Sequence, residues 1–237
     1  MYGSRARIGY TSPPLTTEVF PYEFYKIVPA GVTLVITTLA ITDRSQSEVD
    51  QSYALSMQAA RAMVAAGVDV VVLGGVPINL SRGDSTDMAR ALAEELKVKV
   101  SSSAAAQEKA VKTLGCRKVV IAQPYDDSQN ERQASYAKRY GCEVLGVAGW
   151  GSALREMGGI PRHAALEMGR TLMRAHPQAD SILLPSPAWP TVEAIELLER
   201  EFCVNAVSAT QAAIWDALRL AGVNDRIEGY GRLLREF

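Results

Sequence analysis

Short apolar runs alternate along this chain with longer segments in which apolar residues recur every three or four positions. Residues 69–73 are apolar throughout after the first position, which is typical of a parallel strand covered on both faces. Residues 47–66 have helical spacing, and Gly67 follows them at once, as glycine often does at a helix end. The alternation predicts a parallel sheet with helical crossovers.

The same pattern predicts the remaining elements. We expect eight strands, at residues 7–11, 33–39, 69–73, 98–101, 118–122, 143–147, 181–184 and 204–207. We expect seven helices, at residues 47–66, 86–96, 103–114, 128–140, 163–175, 191–202 and 210–221.

The two halves of the sequence are similar to each other. Residues 69–75 match residues 180–186 in spacing, and residues 100–115 have a counterpart in residues 207–222. Chance likeness between two strand–helix units is the alternative, but we favour an internal repeat. The prediction is an α/β protein of two pseudo-symmetric, doubly wound, flavodoxin-like halves with the site in the cleft between them. The halves are residues 1–115 and 116–237, and the last helix is free to pack on the first half.

Composition narrows the class of partner. The 237 residues carry 25 Lys and Arg against 26 Asp and Glu, a net charge of −1, which argues against nucleic acid or an anionic membrane as a partner. No apolar run reaches the roughly 18 residues of a membrane span. There is no leader-like N-terminus, so we expect a cytoplasmic protein. The sequence has no pair of His or Cys residues at the spacing typical of metal ligands. It also has no complete glycine-rich motif for phosphate binding.

The chain has three cysteines, Cys116, Cys142 and Cys203. A small and odd number of cysteines does not indicate a disulfide framework. Each is expected to be a buried or semi-buried small side chain. The two histidines, His163 and His176, fall at the ends of one predicted helix and are expected at the surface. A Ser-His-Asp triad is therefore not supported.

Ligands of open parallel sheets bind beyond the carboxyl ends of the strands. The loops at those ends are irregular and carry Gly, Pro or polar residues. They are residues 10–15, 74–80, 123–127 and 185–190. The repeat makes Gly75 and Ser186 equivalent, one on each predicted wall of the cleft.

Three longer motifs, at residues 125–132, 213–222 and 229–233, carry a family resemblance together with these loops. The chain resembles the aspartate/glutamate racemase superfamily and, over residues 7–234, most closely the arylmalonate decarboxylase family. It is also similar to the maleate cis–trans isomerases. The resemblance implies a lyase or isomerase that works without a cofactor next to the carboxylate of a small organic acid.

In the superfamily, racemases and isomerases place one cysteine at the strand tip of each half. The decarboxylases have glycine at the first place and keep the second cysteine. The resemblance puts Gly75 at the first place and Ser186 at the second, where a thiol would be expected. It assigns Ser186 and Tyr125 as catalytic residues. Pro77 and Pro187 have no N–H to donate to an oxyanion.

The resemblance also implies a set of substrate-binding residues. They are Pro13, Pro14, Gly75, Val76, Pro77, Asn79, Leu154, Met157 and Pro187. Ser12, Asn79 and Ser81 are further candidate hydrogen-bond donors. Two alternatives stay open: a diverged hydratase or hydrolase that uses the same cleft, and an inactive relative that binds a small molecule. The substrate, its stereochemistry and the oligomeric state are left open.

Overall fold

The computed structural model describes residues 2–14, 17–42, 45–80 and 85–237. Leu15, at the end of one predicted site loop, and Ser81, a predicted donor, lie outside these residues. The strands are β1 (Ala6–Pro14), β2 (Val32–Ile41), β3 (Val70–Leu73), β4 (Lys99–Ser102), β5 (Lys118–Gln123), β6 (Glu143–Gly149), β7 (Ser181–Leu184) and β8 (Asn205–Ser208).

Helices flank the strands. They are α1 (Val19–Ile27), α2 (Gln46–Ala65), α3 (Val76–Leu80), α4 (Ser85–Leu96), α5 (Ser103–Leu114), α6 (Asn130–Arg139), α7 (Ala164–Ala175), α8 (Val192–Phe202), α9 (Ala209–Leu220) and α10 (Arg232–Glu236). Two 3₁₀ segments, Asp127–Gln129 and Leu154–Gly159, follow β5 and β6.

The strands form two parallel sheets of four. The first has the order β2-β1-β3-β4 and the second the order β6-β5-β7-β8. The second order is the first with each strand number raised by four, which confirms the α/β class and the repeated, doubly wound halves. The core of the first sheet is apolar: Val71 and Leu73 of β3 belong to the same buried cluster as Ala60 and Met63 of α2.

By its contacts the chain divides into two compact units, each made of two segments. The first is Met1–Ala106 with Ala213–Asp225, and the second is Gln107–Ala212 with Arg226–Phe237. The boundaries therefore fall inside α5 and α9. In the first unit, a paired Arg5 and Asp225 join the two segments.

All eight predicted strands and all seven predicted helices are confirmed, with ends that shift by up to three residues. The pattern did not predict α1, α3, α10 or the 3₁₀ segments. Helix α1 contains Pro21 and four aromatic residues, which are weak helix formers. Its stability comes instead from packing: Phe20 stacks on Tyr10 of β1 with ring centroids 3.7 Å apart. None of the helices among the described residues has the length and apolar character needed to cross a membrane.

The motif at residues 229–233 closes the second unit. Gly231 has a φ of +88°, and the next N–H, of Arg232, donates to the buried Glu199 carboxylate at 2.8 Å. Burial raises the pKa of Glu199 above its usual value, although hydrogen bonds from the N–H groups of Arg232 and Ala206 oppose the shift. Gln211 donates to the carbonyl before Gly231 at 2.7 Å. This motif therefore attaches the C-terminal segment to α8 and α9.

We expect Gly231→Ala to lower the free energy of unfolding by about 3 kcal/mol. The new Cβ would lie 2.5 Å from Ile195 Cγ2, in a backbone conformation that already favours glycine. Urea unfolding measures the loss. Gly141→Ala is the matched control, because Gly141 has a φ of +90° but nothing within 4 Å of its Cβ position. It should cost only about 1 kcal/mol, and equal losses would contradict the steric explanation.

Candidate active site

The candidate residues lie where each sheet changes direction. In the first sheet β1 and β3 are neighbours, and in the second β5 and β7 are neighbours. From each such pair the strand order runs outward to both edges, which leaves a crevice beyond the strand ends. Gly75 follows β3, Tyr125 follows β5 and Ser186 follows β7. Each unit thus brings its own predicted residues to its own switch point.

Close backbone approach shapes the turn after β3. The Gly74 N–H donates to Thr11 Oγ1 at 2.9 Å, and a Cβ at Gly74 would lie 1.9 Å from the Thr11 carbonyl oxygen. Gly75 has a φ of +84°, and its Cβ would lie 2.7 Å from Pro13 Cγ. The predicted pair Gly75 and Pro13 is therefore in contact, with no room for a side chain between them.

Val76 and Pro77 begin the short helix α3. The proline occupies its first turn, where a missing N–H is tolerated. Asn79, which we predicted to bind substrate, is buried. Its amide nitrogen donates to the Gly74 carbonyl at 3.4 Å, and its oxygen accepts the Ala104 N–H at 3.3 Å. Asn79 thus holds the glycine turn against the start of α5, and its contact with substrate stays a prediction.

Tyr125 is buried at the tip of β5. Its N–H donates to the side-chain oxygen of Gln123 at 2.7 Å, and its carbonyl accepts the Gly151 N–H at 2.9 Å. Both peptide groups of this residue are therefore fixed. The segment after β6 that contacts Tyr125 leads directly into the Leu154–Gly159 turn, where Met157 is buried and Leu154 is partly exposed.

Ser186 has the most unusual backbone among the predicted residues. Its φ is +90°, a region that non-glycine residues rarely occupy and that is often found at functional sites. The residue is only 8% exposed. Next to it, Trp189 is fully buried and its indole N–H donates to the Pro185 carbonyl at 3.2 Å. This hydrogen bond from Trp189 stabilises the turn around Ser186. Pro187, between the two residues, is half-buried.

The Ser186 hydroxyl accepts a hydrogen bond from the Ala188 N–H at 3.2 Å. One lone pair is thus occupied, and the O–H remains to donate to a ligand. Neither His163, which is exposed, nor His176, which lies against Gly146, makes a hydrogen bond to Ser186 in the described part of the chain. The turn therefore presents Ser186 as a hydrogen-bond donor, and neither histidine is bonded to it as an activating base.

The cysteines do not reach these turns. Cys116, Cys142 and Cys203 precede β5, β6 and β8 and so lie at the amino ends of the parallel strands, whereas Ser186 follows the carboxyl end of β7. Cys116 and Cys142 are buried as expected, but the expectation is wrong for Cys203, which is exposed. Cys203 ends α8 in the left-handed conformation, with a φ of +55°, so the chain turns there before β8.

The comparisons with known proteins identify the family of this chain. The sequence profile of arylmalonate decarboxylase matches residues 8–234. The chain belongs to the arylmalonate decarboxylase family. It is 31% identical to the arylmalonate decarboxylase of Bordetella bronchiseptica over 185 residues, 75% of each chain. It is 27% identical to the maleate isomerase of Nocardia farcinica (strain IFM 10152) over 178 residues, which cover 70% of this chain and 66% of that protein.

Solved structures extend the family match to the fold. A liganded arylmalonate decarboxylase, with one glycine changed to cysteine and one cysteine changed to serine, superposes with a TM-score of 0.88 and 27% identity over 98% of this chain and all of that one. A mutant of the Nocardia farcinica maleate isomerase gives a TM-score of 0.84 over 98% of this chain and 99% of that one. At 22% identity, this second likeness shows the fold alone.

Sequence reasoning did not single out Gln123 or Thr11 near the predicted site turns. Both are buried polar residues, Thr11 at the end of the predicted strand 7–11 and Gln123 at the end of β5, and each binds a backbone N–H of a predicted site turn. The signal that could have found them is a polar residue at the end of an otherwise apolar strand. Such a residue needs a buried partner, and the adjacent turn is the nearest source of one.

We expect a thiol reagent at neutral pH to label Cys203 in the native protein and to leave Cys116 and Cys142 unmodified. Burial raises the pKa of each of these two thiols to about 11, so the reactive thiolate is scarce. Mass spectrometry of peptides after alkylation measures the labelling. All three should react in urea, and rapid native labelling of Cys116 or Cys142 would contradict this placement.

Proposed function

We propose that this chain is a cofactor-independent enzyme of the decarboxylase or isomerase type, acting next to the carboxylate of a small organic acid. The observation that carries the proposal is the family match across both sheets, combined with the strained, buried Ser186 at a switch point. Fold alone does not imply an activity. The type of reaction is inferred from Gly75 and the hydrogen-bond donor Ser186, each of which follows the carboxyl end of a strand.

The proposed reaction needs stabilisation of developing negative charge beside a carboxylate. In a decarboxylation, the bond between the α-carbon and the departing carboxylate breaks, and its electron pair forms an enediolate. Hydrogen bonds from the Ser186 hydroxyl, the Tyr125 phenol and backbone N–H groups would stabilise this anion. CO2 is released as this carbon–carbon bond breaks. A proton is then delivered to the α-carbon by Ser186 or by a water bound to it, and solvent returns a proton to that donor.

Two prolines make the side-chain donors more important. Pro77 and Pro187 stand in the turns after β3 and β7, and neither has an N–H to offer an oxyanion. Ser186 and Tyr125 must therefore supply side-chain hydrogen bonds to the oxyanion. In each unit, apolar residues are the proposed contacts for the rest of the substrate, with Asn79 as a polar contact. These residues are Pro13, Pro14, Gly75, Val76, Leu154 and Met157.

The activity test is a panel of substituted malonates, maleate and hydantoins. We expect CO2 release, isomerisation or deuterium incorporation from solvent for at least one member, measured by NMR in D2O. The control is the folded protein with both proposed donors removed, Ser186→Ala with Tyr125→Phe. A folded wild-type protein that is silent across the panel, yet is stabilised against heat by a metabolite, would instead support the inactive binding relative.

Substitution of Ser186 tests its role directly. We expect Ser186→Ala to lower kcat by about 100-fold, as loss of one oxyanion donor commonly does. We expect Ser186→Cys to raise it above wild type, because a thiol with a pKa near 8.5 is a far better proton donor at neutral pH than a hydroxyl. If Ser186→Ala abolishes activity and Ser186→Cys brings no gain, the result contradicts the proposal and favours a hydratase or hydrolase.

A further inference from the structure

Gln123 ends β5 and is fully buried. Its side-chain oxygen accepts the Tyr125 N–H at 2.7 Å. Its side-chain nitrogen donates to Asn130 Oδ1 at 2.8 Å and to the Asp126 carbonyl at 3.1 Å. Both N–H groups of the amide and one oxygen lone pair are therefore used inside one turn. Removal of this side chain would leave several buried polar groups unpaired, which is costly.

The hydrogen bonds continue from Gln123 to the end of β6. Asn130 donates to Asp127 Oδ1 at 2.8 Å, and the same oxygen accepts the Gly149 N–H at 3.2 Å. Gly149 is also in close contact with the turn. A Cβ there would lie 2.4 Å from the Tyr125 carbonyl oxygen and 2.7 Å from the Gln123 side-chain nitrogen. The β5 and β6 ends are thus packed together at backbone distance.

Backbone hydrogen bonds reinforce this contact. The Trp150 N–H donates to the Gln123 carbonyl and the Gly151 N–H to the Tyr125 carbonyl, both at 2.9 Å. The segment joined in this way runs on into the turn that carries Leu154 and Met157. The buried amide of Gln123 is therefore linked to the proposed donor Tyr125. Through the segment after β6 it is also linked to the proposed substrate contacts Leu154 and Met157.

We propose that Gln123 is the positioning residue of this half of the site: its buried amide fixes the backbone of Tyr125 and the segment leading to Leu154 and Met157. The proposal rests on the proposed function, in which Tyr125 donates to the substrate. Gln123 acts through Tyr125 and makes no contact with the reacting atoms. Small errors in the placement of a catalytic group, of about 1 Å, lower rates by roughly 100-fold.

The first test compares two glutamine variants. Gln123→Met keeps the size of the side chain and removes its hydrogen bonds. Gln211→Met is the matched control, because Gln211 is also fully buried in the second unit, accepts the Ser208 N–H at 3.4 Å and donates to the Tyr230 carbonyl at 2.7 Å.

Both substitutions should lower thermal stability. Only Gln123→Met should raise amide hydrogen exchange, by at least about tenfold, at residues 124–131 and 149–154.

The second test uses pH. In Gln123→Glu the carboxyl accepts the Tyr125 N–H in either state, but it donates to Asn130 only when protonated. Burial beside Asp127 should raise the pKa of the introduced carboxyl. We therefore expect protection from exchange and turnover to recover as pH falls, after correction for intrinsic exchange. Gln123→Met should not recover, and its kcat should fall by roughly 10- to 100-fold, with a smaller change in KM.

Hydrogen exchange needs no substrate, so this result is independent of whether the substrate panel succeeds. If Gln123→Met and Gln211→Met exchange alike at residues 124–131, the positioning role is overturned even when the enzyme is active. Unchanged kcat in Gln123→Met would overturn it as well. Selective exchange with no substrate found would support the role of Gln123 in ordering the turn while leaving the proposed function without support.

Discussion

The turns at the carboxyl ends of the strands depend on one requirement, which is that a buried backbone N–H must find a partner. Where a turn after a parallel strand is buried, its N–H groups need partners from the protein itself. In three of the turns, a side chain of the turn itself or of a nearby strand supplies the acceptor. Thr11 binds the Gly74 N–H, Gln123 binds the Tyr125 N–H, and Ser186 binds the Ala188 N–H. The chemistry proposed for this chain is arranged on turns held in this way.

The two repeated halves have different residues at the equivalent turn position. After β3, the turn packs Gly75 against Pro13, with no space for a side chain. After β7, the equivalent position holds Ser186, whose positive φ is retained although a side chain is present. One fold thus provides a bare backbone turn in one unit and a hydroxyl in the other.

The three family motifs have separate physical roles. The motif that starts at Tyr125 contains Asp127 and Asn130, which are part of the hydrogen-bond network around Gln123. The motif at residues 213–222 contains the buried Asp216, which accepts a hydrogen bond from Ser101 of β4 and so attaches α9 to the first sheet. The motif at residues 229–233 closes the second unit against Glu199. Only the first of these lies at a predicted site turn, so family likeness in the other two reflects the fold.

The amino-acid sequence by itself determined the eight strands, seven helices and repeated order, because apolar periodicity and helix-ending glycines such as Gly67 act over a few neighbouring residues. It also indicated Gly75, Tyr125 and Ser186, since the ends of apolar strands are visible locally. Tertiary structure decided α1, whose aromatic residues favour a helix only when packed on β1. It also decided which polar side chains hold the turns: Thr11 meets Gly74 and Asn79 meets Ala104 across long stretches of chain. Such pairs form only when distant strands align, and no local pattern records that alignment.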